Sequence, residues 1–322
     1  MSTAGIVVVT YNSEEVIGEC LDAALASGAE VVVVDNASRD RTLEKVHQRP
    51  EARVLANPWN RGFAAAANQG IEALARSHVL LLNPDAVLLT GLEALVAACD
   101  RGTAVAGGKL VGDDGRIQRG FAVRRLPTPA ALALEVLGIN RLWAGNPVNR
   151  RYRCRDWDPG RPAEVEQPAG AFLMVRREVW RELGGFDERF RPIWFEDVDF
   201  CLRARLAGYR IRYEPAAVAR HRGGHSAAGM SWERRRLCWY DSLLGYSGKH
   251  FSPTAHRVMC LAVIMRSVLG AAKGIFVLRR LREAAVHGRI VRLALRGLVK
   301  GGSRVHKLPW PGSRVEGVRP LL

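Results

Sequence analysis

Ile6-Val7-Val8-Val9-Thr10-Tyr11-Asn12 is an apolar run ending in a polar triplet, and the same arrangement returns twice before residue 90. Val31-Val32-Val33-Val34 leads into Asp35-Asn36-Ala37-Ser38, and Val79-Leu80-Leu81-Leu82 leads into Asn83-Pro84-Asp85. Continuous Val and Leu runs bounded by turn formers suit parallel strands buried on both faces. In an open α/β sheet, ligands bind just beyond the carboxyl ends of such strands. The three polar groups are therefore expected along one sheet edge, two of them bringing a carboxylate. Ser13 and Ser38 read as caps of the helices that follow. Asp35 and Asp85 stand directly after a buried strand and read as site residues.

The alternation continues to about residue 110. Strands are predicted at 5–10, 30–35, 53–56, 78–82 and 104–110, with helices near 13–26, 40–48, 62–76 and 90–99. Asp113-Asp114-Gly115 predicts a hairpin turn, and residues 120–160, rich in Arg, Trp and Pro, read as an irregular region over the site. Strands at 170–175 and 210–214 and helices at 177–183 and 196–207 follow.

A second constellation is Trp194-Phe195-Glu196-Asp197-Val198-Asp199-Phe200. Acidic residues in a first helical turn are favoured by the helix dipole, worth about 0.3–1 kcal/mol. Three carboxylates in four residues behind two aromatics exceed what capping needs. A carboxylate beside an apolar wall has its pKa raised toward the range useful for a general base. Gly184-Gly185-Phe186-Asp187-Glu188 reads as a helix stop that returns this segment to the sheet edge.

The 322 residues suffice for a large core. Six cysteines without a C-x-x-C pair, behind an N-terminus with no signal-like stretch, predict a reducing compartment, free thiols and no structural zinc. Residues 231–322 hold 18 Lys and Arg against four acidic residues, which is +14 of the chain's +16. A basic segment after a balanced domain points to a polyanionic partner. Arg266, Lys273 and Arg280 fall within about 40° on a continuous helix. Arg282, Arg289, Arg292, Arg296 and Lys300 share a face of the next segment, with Val, Ile and Leu filling the rest. Such helices lie in the headgroup plane of an anionic membrane. Spanning is disfavoured at roughly 2.5–3.5 kcal/mol per central Arg or Lys, and a nucleic-acid surface would not need so many apolar positions. The expected domains are 1–230, catalytic, and 231–322, a basic amphipathic helical extension.

Seven motifs occur in order: VTYN (9–12), VVDNAS (33–38), NRGFAAAANQG (60–70), LNPDA (82–86), PAGAFLMVRREVW (168–180), GGFDERF (184–190) and FEDVDFCLR (195–203). This set resembles the inverting family 2 glycosyltransferases of GT-A fold, and is most similar to their bacterial rhamnosyltransferase-like branch. The resemblance implies an α/β fold with a mostly parallel sheet flanked by helices, and a nucleotide-diphosphate sugar, dTDP- or UDP-linked, as donor. It implies a glycan or polyprenyl-linked acceptor in cell-envelope polysaccharide synthesis, at the cytoplasmic face of the membrane. Asp35 can accept from a pyrimidine N–H, with Thr10 and Tyr11 below the base. Asn12, Asn36, Arg61 and Gly62 complete the expected donor contacts, Arg61 reaching base or phosphate.

Asn83-Pro84-Asp85 matches the family's metal motif, usually Asp-x-Asp, with Asn83 in place of the first Asp. Asp85 is thereby left as the main carboxylate ligand of a magnesium or manganese ion. The resemblance makes His221 a second ligand, whereas His225 reads as a surface histidine. The residue pattern leaves Glu196 and Asp197 both open as base, and the resemblance selects Asp197. Trp194, Glu196 and Asp199 are then expected on the acceptor, with Trp194 and Phe195 stacking on a sugar. A nucleotidyltransferase would show a Gly-rich phosphate loop where this chain has Thr10-Tyr11-Asn12-Ser13-Glu14-Glu15. A non-catalytic nucleic-acid-binding protein would explain the tail but not the carboxylates.

Overall fold

Each of the three apolar runs forms a buried strand. In the computed structural model, which describes residues 4–224, 230–277 and 279–300, they are β1 (Ala4–Thr10), β2 (Glu30–Asp35) and, after β3 (Arg53–Ala56), β4 (His78–Leu82). Strands β5 (Ala86–Leu88), β6 (Thr103–Val111), β7 (Val123–Arg124), β8 (Ala163–Glu164), β9 (Gln167–Pro168), β10 (Phe172–Arg176) and β11 (Arg210–His221) follow. The main sheet runs β3-β2-β1-β4-β10-β6-β11-β5, with β8 added on β11. Strands β3, β2, β1, β4, β6 and β11 point one way, so the sheet is mostly parallel. Strands β10 and β5 run against them.

Alternate residues of each run face opposite layers, as the absence of polar positions requires. Ile6, Val8, Val31, Val33, Leu80 and Leu82 pack against α1 (Ile17–Ala26), α2 (Thr42–His47) and α4 (Glu93–Ala98). Val7, Val9, Val32, Val34, Val79 and Leu81 pack against α3 (Phe63–Ala73), α8 (Arg177–Glu182) and α9 (Glu196–Leu206). Neither Ser13 nor Ser38 caps a helix. Helix α1 starts only at Ile17 without a side-chain cap, and the Ser38 hydroxyl donates to Asp35 instead.

The region 120–160 is not irregular throughout. It holds β7, α5 (Pro129–Leu137), α6 (Ile139–Leu142) and α7 (Pro147–Tyr152). Helix α5 starts where Thr128 Oγ1 accepts from the Ala131 N–H at 3.2 Å with Pro129 at the first position, a readable start signal. Strand β11 also runs past residue 214 to His221, because a register shift between Glu214 and Val218 absorbs Pro215.

The basic extension forms α10 (Trp232–His250), α11 (Pro253–Ala272) and α12 (Leu281–Lys300). Their inner faces form a third apolar cluster, with Leu243, Tyr246, Met259, Val263, Ile290 and Leu293 meeting Leu132 and Val136 of α5 and also Phe190 and Phe195. The boundary expected at residue 230 therefore crosses a shared core. The single cationic stripe expected over Arg266, Lys273 and Arg280 does not form. Helix α11 ends at Ala272, a π-turn covers Lys273–Val277, and Arg279 takes φ +52° before α12 begins. Without a continuous helix, seven-residue spacing no longer places side chains on one face.

Candidate functional site

The sheet edge expected to receive the donor is built by β1 and β2 side by side, since Thr10 pairs in register with Asp35. Asp35 is fully buried, and its carboxylate accepts from the Ser38 hydroxyl at 2.5 Å and the Ser38 N–H at 3.0 Å. Burial raises its pKa and those two hydrogen bonds oppose the rise. Thr10 Oγ1 is buried with no hydrogen-bond partner among the described residues. Asn36 Oδ1 accepts from Asn57 and from the Arg61 N–H, and its amide donates to the Gly62 carbonyl. Gly62 holds φ +86°, which a side chain would resist, and starts α3. Asn12 Oδ1 accepts from the Arg39 N–H at 2.8 Å, so its side chain ties two edge loops together. Tyr11, next to it, is half-buried at this edge. Arg61 turns its guanidinium to Gln69 at 3.3 Å and lines a separate groove with Asn68 and Glu188.

The second part of the site depends on β5, which the sequence does not announce. Its pairing with β11 sets His221 opposite Ala86, so Asp85 and His221 meet at the edge. The His221 Nε2 lies 3.5 Å from Asp85 Oδ1, and both side chains are almost fully buried. Neither Asp85 oxygen has a hydrogen-bond partner among the described residues. Burial holds the His221 pKa down while Asp85 pulls it up. A buried carboxylate without donors, facing an imidazole nitrogen, has the chemistry of a seat for a hard divalent cation. Among the described residues no group of three or more His, Cys, Asp and Glu side chains could hold a metal, so these two would share it with ligand oxygens. Asn83 donates its backbone N–H to Ala171 and lines the adjoining cavity.

That cavity, of about 350 Å³, brings Asn83 and His221 together with Trp194, Glu196 and Asp197. Asp197 is held at three points: Oδ2 accepts from the Gly170 N–H at 3.1 Å and the Gln167 amide at 3.2 Å, and Oδ1 from the Val198 N–H at 2.8 Å. A Cβ on Gly170 would stand 3.1 Å from Asp197 Oδ2, a tight approach to which the carboxylate would have to yield. Glu196 is buried, with Oε2 unpartnered among the described residues. Burial and the Asp197 charge push its pKa well above the usual range. Burial also raises Asp197, while the Val198 and Gly170 N–H groups and the Arg124 charge favour its ionised form. Two adjacent buried carboxyls of this kind hold one shared proton more readily than two negative charges. Trp194 and Phe195 both take positive φ, +81° and +73°, an uncommon local backbone that turns the segment into α9.

One expected acceptor residue is placed elsewhere. Asp199 is fully buried and away from the cavity, bonded to Arg203 at 2.8 Å, Lys249 at 2.5 Å and His250 at 2.6 Å. Helical periodicity is the reason, since two residues past Asp197 the side chain projects to another side of α9. Phe195 lines the cavity beside Trp194 while packing its ring on Tyr246, centroids 5.2 Å apart, within the third cluster. Gln167, Gly170 and Arg124 were not singled out from the sequence, although Gly170 stands in the PAGAFLMVRREVW run.

Residues 5–157 match the family model described as glycosyl transferase family 2, and residues 159–242 the one described as glycosyltransferase like family 2. The N-acetylglucosaminyl-diphospho-decaprenol L-rhamnosyltransferase of Mycobacterium tuberculosis is 32% identical over 244 residues, covering 69% of this chain and 76% of that protein. The rhamnosyltransferase WbbL of Escherichia coli is 24% identical over 68% of this chain and 83% of its own. Among solved structures, a mannosyltransferase from Pyrobaculum calidifontis in complex with GDP-Man and Mn2+ superposes with a TM-score of 0.51, 16% identity, 92% coverage of this chain and 87% of that one. The fold is GT-A.

The ion-pair cluster around Asp199 gives a pH signature. Its partners His250 and Lys249 hold the Asp199 carboxyl below its ordinary range against the cost of burial. A depressed folded-state pKa contributes stability that is present above the unfolded value near 3.9 and is lost as pH falls toward the folded one. Lys249→Met should therefore move the acid-unfolding midpoint upward, read by intrinsic fluorescence between pH 7 and 2. Superimposable wild-type and variant acid transitions would show that the cluster does not stabilise the fold.

Proposed function

The chain belongs to glycosyltransferase family 2, and from that premise we propose that it moves a rhamnose-like sugar from a dTDP- or UDP-linked donor to an acceptor hydroxyl with inversion. The acceptor is a glycan or a polyprenyl-diphosphate-linked sugar of cell-envelope polysaccharide synthesis. The observation that carries this reading is a cavity at the sheet edge that Asp197, His221 and Asn83 line together.

Asp35, Thr10 and Tyr11 receive the base, with Asn12, Asn36 and Gly62 shaping the loops around the ribose. Arg61 reaches the donor only by turning away from Gln69. Asp85 and His221 would hold a magnesium or manganese ion, with Asn83 beside it, and that ion would supply charge neutralisation for the diphosphate. Asp197 accepts the proton of the acceptor hydroxyl. The hydroxyl oxygen bonds to the anomeric carbon as the bond to the diphosphate oxygen breaks, and the electron pair leaves with the nucleoside diphosphate. Glu196 keeps its proton and adds a donor to the acceptor side, and Trp194 offers a ring face to the sugar.

The same reading places the protein on the cytoplasmic face of an anionic membrane. Pro253–Phe276 is long and apolar enough to span a membrane, with a mean hydropathy of 1.7 in its best window, of which 33% is buried. The packing instead divides α11 lengthwise. Met259, Cys260 and Val263 face the third cluster, while Val258, Leu261, Met265, Val268 and Leu269 are half exposed or more on the opposite side. Phe276 and Leu281 further along are exposed as well, as are Arg257, Lys273, Arg280 and Arg282 of the same segments. An apolar strip flanked by cations suits the interface of anionic lipid, where each basic residue adds about 1 kcal/mol.

Three outcomes are expected. Asp197→Asn should reduce transfer by about 10²–10⁴-fold and leave UDP or dTDP affinity within a few fold; near-wild-type turnover would remove Asp197 as the base. Asp35→Ala should weaken nucleoside and nucleotide binding alike, whereas Asp85→Ala should weaken only diphosphate ligands, and only without EDTA. Calorimetry with uridine, UDP and their thymidine counterparts separates these, and equal loss of nucleoside binding in both variants would displace Asp85 from the diphosphate. Leu261→Asp with Met265→Asp should abolish the salt-resistant part of sedimentation with phosphatidylglycerol vesicles. Unchanged sedimentation would assign the strip to another surface.

A further inference from the structure

Gln118 has no place in the seven sequence motifs, yet both ends of its side-chain amide bind the same histidine. Its Nε2 donates to the His221 carbonyl oxygen at 2.7 Å, and its Oε1 faces His221 Nδ1 at 2.9 Å. The first bond fixes which way the amide points, because only the NH2 end can donate to a carbonyl. The oxygen is therefore the atom presented to Nδ1, and it accepts the Nδ1–H. In the neutral ring Nε2 then carries a lone pair, and it points toward Asp85 Oδ1, 3.5 Å away. Two lone-pair carriers at that distance, both buried, call for a positive charge between or beside them. Phe121 lies flat on the imidazole, with centroids 5.1 Å apart and planes 10° from parallel, and restrains the ring from flipping.

The segment that delivers Gln118 is built for this contact. Asp113-Asp114-Gly115 makes the tight turn after β6, with Gly115 at φ +72° and Gly112 N–H bonded to Arg116. The returning chain pairs Ile117 with Val111, and the Gln118 N–H donates to Leu110. Gln118 thus arrives beside the carboxyl end of β11, at a sequence distance of 103 residues from His221.

We propose that Gln118 is a positioning residue which locks His221 in the Nδ1–H tautomer and so turns its Nε2, with Asp85, into a divalent-cation seat. The proposal rests on the metal seat of the preceding reading. Such outer partners of a ligating histidine commonly carry a 10–100-fold effect on metal affinity.

The test uses the full chain labelled with 15N-histidine, with His221→Gln identifying the resonance. Without metal or nucleotide, His221 should show a protonated Nδ1 and a lone-pair Nε2. In Gln118→Leu the tautomers should mix, and Mn2+ binding in the presence of UDP, followed by electron paramagnetic resonance, should weaken by about 10–100-fold. Gln118→Glu, which still accepts from Nδ1–H but no longer donates to the carbonyl, should keep the tautomer and lose less affinity. A protonated Nε2 in the wild type, or Mn2+ binding unchanged in Gln118→Leu, overturns the proposal. The tautomer is read in the metal-free protein, so the locking role fails or survives separately from glycosyl transfer. Absence of Mn2+ binding in the wild type would instead sink the seat itself.

Discussion

Strand β10 runs against β4 and β6, and the site depends on that reversal. In a sheet of parallel strands only carboxyl ends reach the ligand edge. By entering the other way, β10 presents its beginning there, so Gly170 and Ala171 lie beside Asn83 at the end of β4. Gly170 then donates its N–H to Asp197, which fixes the first turn of α9 over the edge. The residues at the ends of β1 and β2 and the carboxylate helix, far apart in sequence, are held against one framework by this one antiparallel insertion.

A second anchor secures the same helix from behind. Asp199, fully buried, joins Arg203 of α9 to Lys249 and His250 at the end of α10. Lys249 also bonds Asp187 in the turn before α9, and Ser242 donates to the Ile193 carbonyl. Burial makes a carboxylate costly unless its charge is compensated, and here it is compensated by groups from two elements. The basic C-terminal helices are thereby physically tied to the segment that carries Asp197. Their packed inner face and apolar outer face are two sides of one layer.

The centre of the sheet was legible because its strands are short, continuous Val and Leu runs that no helix period fits, and β1, β2 and β4 fall where those runs stand. Strand β5 was not, since Ala86-Val87-Leu88 is too short to carry a pattern, although it brings Asp85 to His221. The end of β11 was hidden by Pro215, which reads as a stop but sits at a bulge; the alternating burial of Ile211, Tyr213, Ala217, Ala219 and His221 was the available clue. The three carboxylates of α9 look alike in sequence, and only the helix phase together with Lys249 and His250 separates Asp199 from the cavity. Gln118 left no signal at all, because its meaning comes from a hairpin that returns it to a strand end 103 residues away.

The central claim is that the sheet-edge cavity performs direct displacement, with Asp197 taking the acceptor proton. It is tested most directly by the anomeric configuration of the product. The full chain would be incubated with dTDP- and UDP-sugars and a short polyprenyl-diphosphate N-acetylglucosamine acceptor, and the new linkage read by proton NMR. The account predicts a linkage of opposite configuration to that in the donor. A product that retains the donor configuration would contradict it.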